Sequence, residues 1–381
     1  MKNEDCLNNR GYLCKINANL TNMKKLFFVA ALSVATLTYA AEPVFYDARQ
    51  YEITGSVVKD AENPWTRLPV ELKDTLRGEL YDLGCNTAGM SVRFSSNTTS
   101  IRVKWKSVLK RRMNHMTPTG IRGLDLYMLQ DDNTWTFVSS VRPNVNSKNS
   151  NYSVVNGMLP KDREYMMYLP LYDGVDSLYI GVDSAASITA PKVNLPVREK
   201  PIVMYGTSIL QGGCATRAGM AHTNILQREL NREVINLGFS GNARLDLPIA
   251  ELMGAIDAGL YVIDVLPNNT TENLKKNIEP FYRALRAANP AVPVLLIESP
   301  MFPIYRFCPD VEKALREKNQ VLKDFYDKLI AEGVKDVYYM TAEEIMGDDV
   351  EGTVDNYHFT DRAFRYFANQ MLPLIEKYSL K

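Results

Sequence analysis

Histidine is scarce in this chain of 381 residues, which contains only His115, His222 and His358. Cysteine is rare too: there are five, and no CxxC or HExxH segment occurs, so the common spacings of structural zinc sites and zinc proteases are absent. Lys plus Arg and Asp plus Glu each total 44, so no excess charge favours nucleic acid or an anionic membrane as a partner. We therefore expect a small or uncharged partner and no metal or cofactor.

No hydrophobic run spans a bilayer with ease. The apolar stretch 26–37 follows a basic start at residues 23–25 and leads to Ala40, a small residue of the kind that signal peptidase requires. We interpret residues 23–40 as a signal peptide and residues 1–22 as a non-native extension ahead of it. The sequence thus predicts export across the inner membrane, to the periplasm or the cell exterior, without a stable membrane anchor.

Short alternating segments dominate residues 41–198. Residues 91–94 with 100–105, 124–128 with 134–138, and 165–171 with 177–182 each suggest an antiparallel pair around a turn. Several strands at this spacing, without a convincing long helix, predict an all-β sandwich or jelly roll. Three prolines between residues 184 and 201 mark the predicted domain boundary.

Strands and helices alternate in residues 199–381. Short apolar runs separated by helical patterns predict a parallel sheet covered on both faces. In such sheets ligands bind beyond the carboxyl ends of the strands. Ser208, Gly241 and Asn268 each follow a predicted strand, so we expect them at that edge. The predicted strands are 202–205, 234–237, 260–265, 292–297 and 337–340, and the clearest helices are 273–288, 309–331 and 360–378.

Three residues have the composition and order of a serine hydrolase triad. A serine hydroxyl is a weak nucleophile until a base takes its proton, and a third group must hold that base in the right tautomer. Ser208, His358 and Asp355 can fill these roles, and the Asp-x-x-His spacing lets one turn bring the carboxylate near the imidazole. Each part alone is weak evidence, but their joint placement after one strand and before the last helix strengthens the assignment.

Gly241 and Asn268 could stabilise the oxyanion of an acyl-transfer intermediate. A glycine lets a backbone N–H approach the substrate, and an asparagine supplies a side-chain amide. The alternative is that Gly241 is an ordinary turn glycine and Asn268 an ordinary loop asparagine.

Four segments together resemble, in order, the four sequence blocks of the SGNH (GDSL-like) hydrolases. The resemblance covers residue 201 to the C-terminus and implies a flavodoxin-like three-layer fold and metal-free ester hydrolysis through an acyl-enzyme. It assigns Ser208 as nucleophile and Asp355 and His358 as the remaining dyad, with Ser208, Gly241 and Asn268 as the oxyanion hole. The segments are 206–209 (GTSI), 239–242 (FSGN), 267–269 (PNN) and 355–358 (DNYH).

The sequence departs from this family pattern beside the nucleophile. Thr207 replaces the usual aspartate and Ile209 the usual leucine, while residues 266–269 (LPNN) stand where Gly-x-Asn-Asp is more common. Any bonds made by the missing aspartate must be made by other groups.

Residues 123–127 (GLDLY) resemble the GxDLY motif of a β-domain that precedes a subset of exported SGNH hydrolases. In related carbohydrate esterases a jelly roll precedes the SGNH domain, which favours acylated carbohydrate as substrate, although fold alone does not fix a substrate. The resulting hypothesis is an exported serine esterase that removes small acyl groups, acetyl above all, from carbohydrate. The alternatives are a lipid or lysophospholipid esterase and a catalytically silent carbohydrate-binding protein.

Other polar residues could serve the site. Arg217, on the loop after Ser208, and His115, in a basic segment of the β-rich half, are candidates for substrate binding. His222 is better explained by packing or capping. Asp264 and Glu298 end strands and are alternative carboxylates, but neither has a histidine three residues away.

Cys214 and Cys308 both lie on predicted loops at the active edge. In an oxidising compartment they could form a disulfide that ties residues 300–309 over the site.

Overall fold

The computed structural model describes residues 42–58, 63–192, 200–347 and 350–380. The predicted N-terminal extension and signal peptide lie outside these residues, and so do residues 193–199 of the predicted domain boundary. From Glu42 onward the chain is one compact unit. None of the helices in the described residues is long and apolar enough to cross a membrane.

The first half is built from antiparallel strands with two short helices. The helices are α1 Gly78–Gly84 and α2 Pro118–Arg122. The strands are β1 Val44–Asp47, β2 Glu52–Thr54, β3 Ser91–Ser96, β4 Ile101–Ser107, β5 Leu124–Leu129, β6 Trp135–Val141, β7 Asn149–Val155, β8 Arg163–Tyr168, β9 Val175–Val182 and β10 Ile188–Thr189.

These strands form two sheets that pack face to face, which confirms the predicted all-β fold. One sheet has the order β1-β9-β4-β7 and the other β10-β3-β8-β5-β6, with β2 also paired to β3. Buried side chains of both sheets, such as Phe94, Trp105, Tyr165 and Ile180, share one core. Burial of this apolar surface is the main force that holds the sheets together.

Two of the three predicted hairpins are wrong. Only β5 and β6 pair with each other, with Leu124 opposite Val141. Strand β3 pairs with β8 in one sheet, whereas β4 pairs with β7 and β9 in the other. The turns after β3 and β8 therefore carry the chain from one sheet to the other.

The second half alternates strands and helices. Its strands are β11 Ile202–Gly206, β12 Val234–Gly238, β13 Leu260–Asp264, β14 Val294–Ile297 and β15 Val337–Met340. Its helices are α3 Ser208–Gln211, α4 His222–Leu230, α5 Leu247–Gly254, α6 Thr271–Ala288, α7 Pro309–Ala331, α8 Glu343–Met346 and α9 Asp361–Tyr378. Single-turn 3-10 segments lie at Ala218–Met220, Leu266–Asn268 and Pro303–Arg306.

The five strands form one parallel sheet in the order β12-β11-β13-β14-β15. Alternate residues of β11 face opposite sides: Ile202 and Met204 pack with α4 and α9, whereas Val203 and Tyr205 pack with α5 and α6. The sheet is thus covered on both faces, which confirms the predicted flavodoxin-like three-layer fold. The predicted strands and the three clearest helices all occur, with ends shifted by two residues at most.

The two halves share buried surface. Tyr127, Met166 and Tyr168 from the β-sandwich lie in the same hydrophobic cluster as Ile225 of α4. Strand β3 is buried along its whole length, since both faces of its sheet are covered. The β-rich half is therefore packed against the layer that carries the loop after Ser208.

Candidate active site

Ser208 lies where the sequence places it, directly after β11 at the carboxyl edge of the parallel sheet. It opens α3, and the Thr207 side chain accepts a hydrogen bond from the backbone N–H of Ile209 at 3.3 Å. Threonine is a good N-cap, so it satisfies locally a donor that the helix would otherwise leave unpaired.

His358 is held by a tight turn that the Asp355 side chain stabilises. One oxygen of Asp355, Oδ1, accepts hydrogen bonds from the backbone N–H groups of Tyr357 at 3.2 Å and His358 at 2.9 Å. Asn356 adopts a left-handed conformation with φ 72°, which asparagine tolerates better than most residues. The predicted Asp-x-x-His spacing therefore works through a side-chain-capped turn.

Both imidazole nitrogens of His358 are engaged. Nδ1 lies 2.8 Å from Oδ2 of Asp355, and Nε2 lies 2.9 Å from Oγ of Ser208. This is the hydrogen-bond chain needed for a base to take the serine proton while a carboxylate orients the ring. The three predicted triad residues are thus brought together with the required connectivity.

The carboxylate of Asp355 is suited to stabilise a charged imidazole. Burial alone would raise its pKa, but hydrogen bonds from the backbone and side chain of His358 outweigh this and lower the pKa below its usual value. Asp355 therefore stays ionised at neutral pH.

Gly241 and Asn268 lie after β12 and β13, on the same sheet edge as Ser208. Gly241 has φ 70°, and a Cβ added there would meet no atom within 4 Å, so backbone conformation rather than lack of space explains the glycine. Oδ1 of Asn268 accepts a hydrogen bond from the backbone N–H of Ala243 at 3.2 Å. Within the described residues neither the Gly241 N–H nor the Asn268 amide nitrogen has a protein acceptor, as oxyanion donors require.

Two residues that sequence reasoning missed support this edge. Gln211 is fully buried; its side chain accepts from the Ser240 N–H at 3.0 Å and donates to the Leu171 carbonyl at 3.1 Å. Arg67 of the β-rich half donates to the Gly238 carbonyl at 2.8 Å and the Asn236 carbonyl at 3.0 Å. All four hydrogen bonds join residues that are far apart in the chain, so no local sequence signal reveals them.

Arg67 has little contact with water, being only 1% exposed. Burial lowers the pKa of its guanidinium to about 9, and it also donates to the Leu83 and Asn86 carbonyls. A buried cation is tolerated only when its donors are satisfied, so Arg67 fixes the carbonyls at the end of β12.

His115 reaches the triad from the β-rich half. Its ring centroid lies 5.5 Å from that of His358, with a 39° angle between the rings. Tyr172, from the same half, donates a hydrogen bond to the Ser208 carbonyl at 3.3 Å. His115 thus lies beside the triad, while its predicted contact with substrate stays a prediction.

Arg217 makes close contacts with the β-rich half. Its Nη1 lies 2.7 Å from Oδ2 of Asp125 and 2.7 Å from the Tyr127 hydroxyl, and its guanidinium stacks 3.8 Å from the Phe137 ring centroid. Arg217 therefore joins the loop after Ser208 to the β-rich half, and its contact with substrate stays a prediction. Asp125 and Tyr127 belong to the GLDLY segment.

The suggested disulfide is absent. Cys85, Cys214 and Cys308 are all free thiols in the described residues, and Sγ of Cys214 instead donates to the His115 carbonyl at 3.3 Å. Burial raises the pKa of Cys214 to about 12. Residues 300–309 still approach the site, because Phe302 packs edge-on against Tyr357 at 5.2 Å between ring centroids.

The other acid and base candidates, Glu298, Asp264 and His222, are not part of the hydrogen-bond chain at Ser208. Glu298 accepts from the Tyr339 hydroxyl at 2.6 Å and the Ala342 N–H at 2.8 Å. Asp264 is 4% exposed, and burial raises its pKa to about 7. His222 packs between Phe364 and Phe367 of α9 and is fully buried, as the packing interpretation expects.

Comparison with known proteins agrees with this geometry. Residues 199–376 match the GDSL-like lipase/acylhydrolase family, and residues 44–188 match the GxDLY N-terminus of SGNH-type esterases. The C-terminal half belongs to the GDSL-like hydrolases. The enzyme is an ester hydrolase of the SGNH type, with a GxDLY-type β-domain in front.

Several solved structures resemble this hydrolase. A protein named as a GDSL-like lipase from Bacteroides ovatus is 29% identical with a TM-score of 0.83, covering 88% of this chain and 98% of its own. A salicylyl-acyltransferase from a tetracycline biosynthetic pathway is 16% identical with a TM-score of 0.72, covering 88% and 97%. A family two carbohydrate esterase from Clostridium thermocellum, in complex with cellohexaose, is 14% identical with a TM-score of 0.53, covering 76% and 92%. At such identities the last two share the fold alone, and no functionally curated protein is significantly similar in sequence.

Proposed function

We propose that this hydrolase is an exported serine esterase that removes small acyl groups, acetyl above all, from carbohydrate. The observation that carries the proposal is the hydrogen-bond chain from Asp355 through His358 to Oγ of Ser208. It supplies a nucleophile, a base and an orienting carboxylate at the ligand-binding edge of the sheet.

The reaction follows from this chain. Oγ of Ser208 attacks the ester carbonyl carbon while Nε2 of His358 takes the hydroxyl proton. The C–O bond to the sugar then breaks, and His358 returns the proton to the departing sugar oxygen. Water attacks the acyl-serine with His358 again as base, and release of the carboxylic acid restores Ser208.

The oxyanion of each tetrahedral intermediate needs donors that are already in place. The backbone N–H groups of Ser208 and Gly241 and the amide nitrogen of Asn268 are assigned to it. Each such donor typically lowers the barrier by about 3–4 kcal/mol, since it costs no reorganisation during reaction.

Two features support a small acyl group on a sugar. A Cβ at Gly213 would come within 2.8 Å of Cδ2 of His358, so the loop after Ser208 packs closely against the imidazole, which we take to favour a small acyl group. Tyr357, next to the base, is 52% exposed and offers an aromatic face to a sugar ring. The carbohydrate esterase structures add an analogy at the level of fold.

The proposal is tested by turnover of p-nitrophenyl esters with acetyl, butyryl and octanoyl groups. We expect acetate to be fastest and Ser208→Ala to abolish turnover while keeping the circular dichroism spectrum of the wild type. Preference for octanoyl would instead favour a lipid esterase, and no serine-dependent turnover would favour a silent binding protein. Acetate release from acetylated xylan, mannan and pectin then identifies the polymer.

Export rests on residues 23–40 and is tested separately. Expression of the full chain in a Gram-negative host followed by N-terminal sequencing of the periplasmic fraction should give a mature start after Ala40 or Ala41. An unprocessed cytoplasmic product would refute this part of the proposal.

A further inference from the structure

Four potential metal ligands meet at the triad. His115, Cys214, Asp355 and His358 each offer one ligand atom, and these atoms all lie within 4.8 Å of one another. Only Asp355 and His358 belong to the triad. The other two come from the β-rich half and from the loop after α3, so the cluster forms only when the two halves pack together.

The ligand set suits one metal in particular. Two imidazoles, a thiol and a carboxylate match the N, S and O donors of tetrahedral zinc, whereas Mg²⁺ and Ca²⁺ prefer oxygen alone. Typical bond lengths to zinc place neighbouring ligand atoms about 3.3–3.8 Å apart. Closing the cluster therefore needs movements of about 1 Å, which the half-exposed His115 side chain can supply.

One ring nitrogen of His115 has a partner of the kind that supports a metal ligand. Its Nδ1 is 3.0 Å from Oδ1 of Asn114, and if Nδ1–H donates to this oxygen, Nε2 keeps a free lone pair. A metal-bound histidine almost always donates its second ring N–H to such an oxygen. Cys214 contacts the same segment through the His115 carbonyl, which keeps the thiol beside the ring.

Zinc at this cluster would necessarily stop the reaction. Both ring nitrogens of His358 are in use, Nδ1 with Asp355 and Nε2 with Ser208. A metal bound to either nitrogen breaks one of the two hydrogen bonds on which proton transfer depends. Binding would also release the Cys214 proton to solvent, since zinc takes the thiolate.

We propose that His115, Cys214, Asp355 and His358 form an inhibitory zinc site that reversibly switches off the esterase. The inhibition rests on the proposed function, whereas the site itself does not. Free enzyme binds one Zn²⁺, and chelation restores activity. The β-rich half thereby takes part in regulation through His115.

Zinc binding is measured directly by isothermal titration of purified protein with ZnCl₂, and by the thiolate-to-cobalt charge-transfer band when Co²⁺ replaces zinc. We expect one site, and a loss of affinity of about tenfold or more in both Cys214→Ser and His115→Ala, because each removes a ligand. Cys308→Ser, which removes a free thiol outside the cluster, should bind zinc like the wild type. Thermal melts establish that each variant is folded.

The inhibition is measured as acetyl ester turnover with and without Zn²⁺, each variant normalised to its own uninhibited rate. Inhibition of the wild type that EDTA reverses and that Cys214→Ser resists supports the switch. Absence of binding, or binding unchanged in both ligand variants, overturns it. Binding that needs Cys214 in a protein without any ester turnover supports the zinc site and refutes the proposed esterase instead.

Discussion

Oδ2 of Asp125 lies 2.7 Å from Nη1 of Arg217, and this ion pair joins the GLDLY segment to the loop that follows the nucleophile. The same oxygen accepts the backbone N–H of Gly219 at 2.8 Å. Asp125 is fully buried, whereas the Arg217 side chain is 22% exposed. One carboxylate of the β-domain thus fixes two groups of the hydrolase half.

We expect Asp125→Ala to destabilise the protein by roughly 2–4 kcal/mol, because it leaves Arg217 without its carboxylate partner and the Gly219 N–H without its acceptor. Chemical denaturation measures the change. The matched control is Asp176→Ala, which removes a half-exposed carboxylate paired with Lys106 and should cost less than about 1 kcal/mol. Equal losses of unfolding free energy in the two variants would show that the buried Asp125–Arg217 pair contributes no more than an exposed pair.

Asp355→Asn should reduce kcat for p-nitrophenyl acetate by roughly 10³- to 10⁴-fold, because the amide cannot stabilise a charged His358 or hold its tautomer. KM and thermal stability should change much less. Glu298→Gln alters another strand-end carboxylate that makes no contact with His358 and should retain nearly full kcat. A kcat within tenfold of wild type for Asp355→Asn would argue against the assigned triad.

Asn268→Ala should lower kcat by roughly 100- to 1,000-fold with little change in KM, since an oxyanion donor acts mainly in the transition state. The neighbouring Asn269 is a useful contrast: its amide is buried and donates to the Ala243 and Val265 carbonyls. Asn269→Ala should lower the melting temperature. If Asn268→Ala changed only stability, Asn268 would be a loop residue.

The burial of Asp264 predicts a loss of stability as the pH rises from acid to neutral. Its pKa is about 7 when folded and about 3.9 when unfolded, so the folded state binds more protons between these values. Stability therefore falls as pH rises from 4 to 7, by roughly 4 kcal/mol at most. Asp264→Asn should be more stable than wild type at pH 8 and similar at pH 4, as measured by urea denaturation. The exposed Asp257→Asn serves as control.

The burial of His222 predicts a loss of stability as the pH falls, which is the opposite of the trend for Asp264. Its pKa is lowered to about 3 by burial, against about 6.5 when unfolded, so the unfolded state binds the extra proton between these values. Stability should fall as pH drops from 6.5 to 3, by up to about 5 kcal/mol. His222→Phe keeps a ring against Phe364 and should flatten the acid side of the stability curve. If the stability of His222→Phe fell in acid as much as that of the wild type, His222 would not be buried in solution.

The sequence by itself determined the elements of the hydrolase half and indicated which three residues form its proposed triad. Periodicity is local, so the strands from Ile202 onward and the helices from Thr271 onward could be located from it. The Asp355–His358 contact is also local, since one turn joins the two residues.

Only the tertiary structure decided which distant groups meet. Packing between segments far apart in sequence places β3 and β4 in different sheets. It also pairs Asp125 with Arg217 and brings Arg67 to the carbonyl groups at the end of β12. The same holds for His115 and Cys214 beside the triad. A buried polar group takes whichever partner the fold supplies, because leaving it unpaired costs more than any local preference gains.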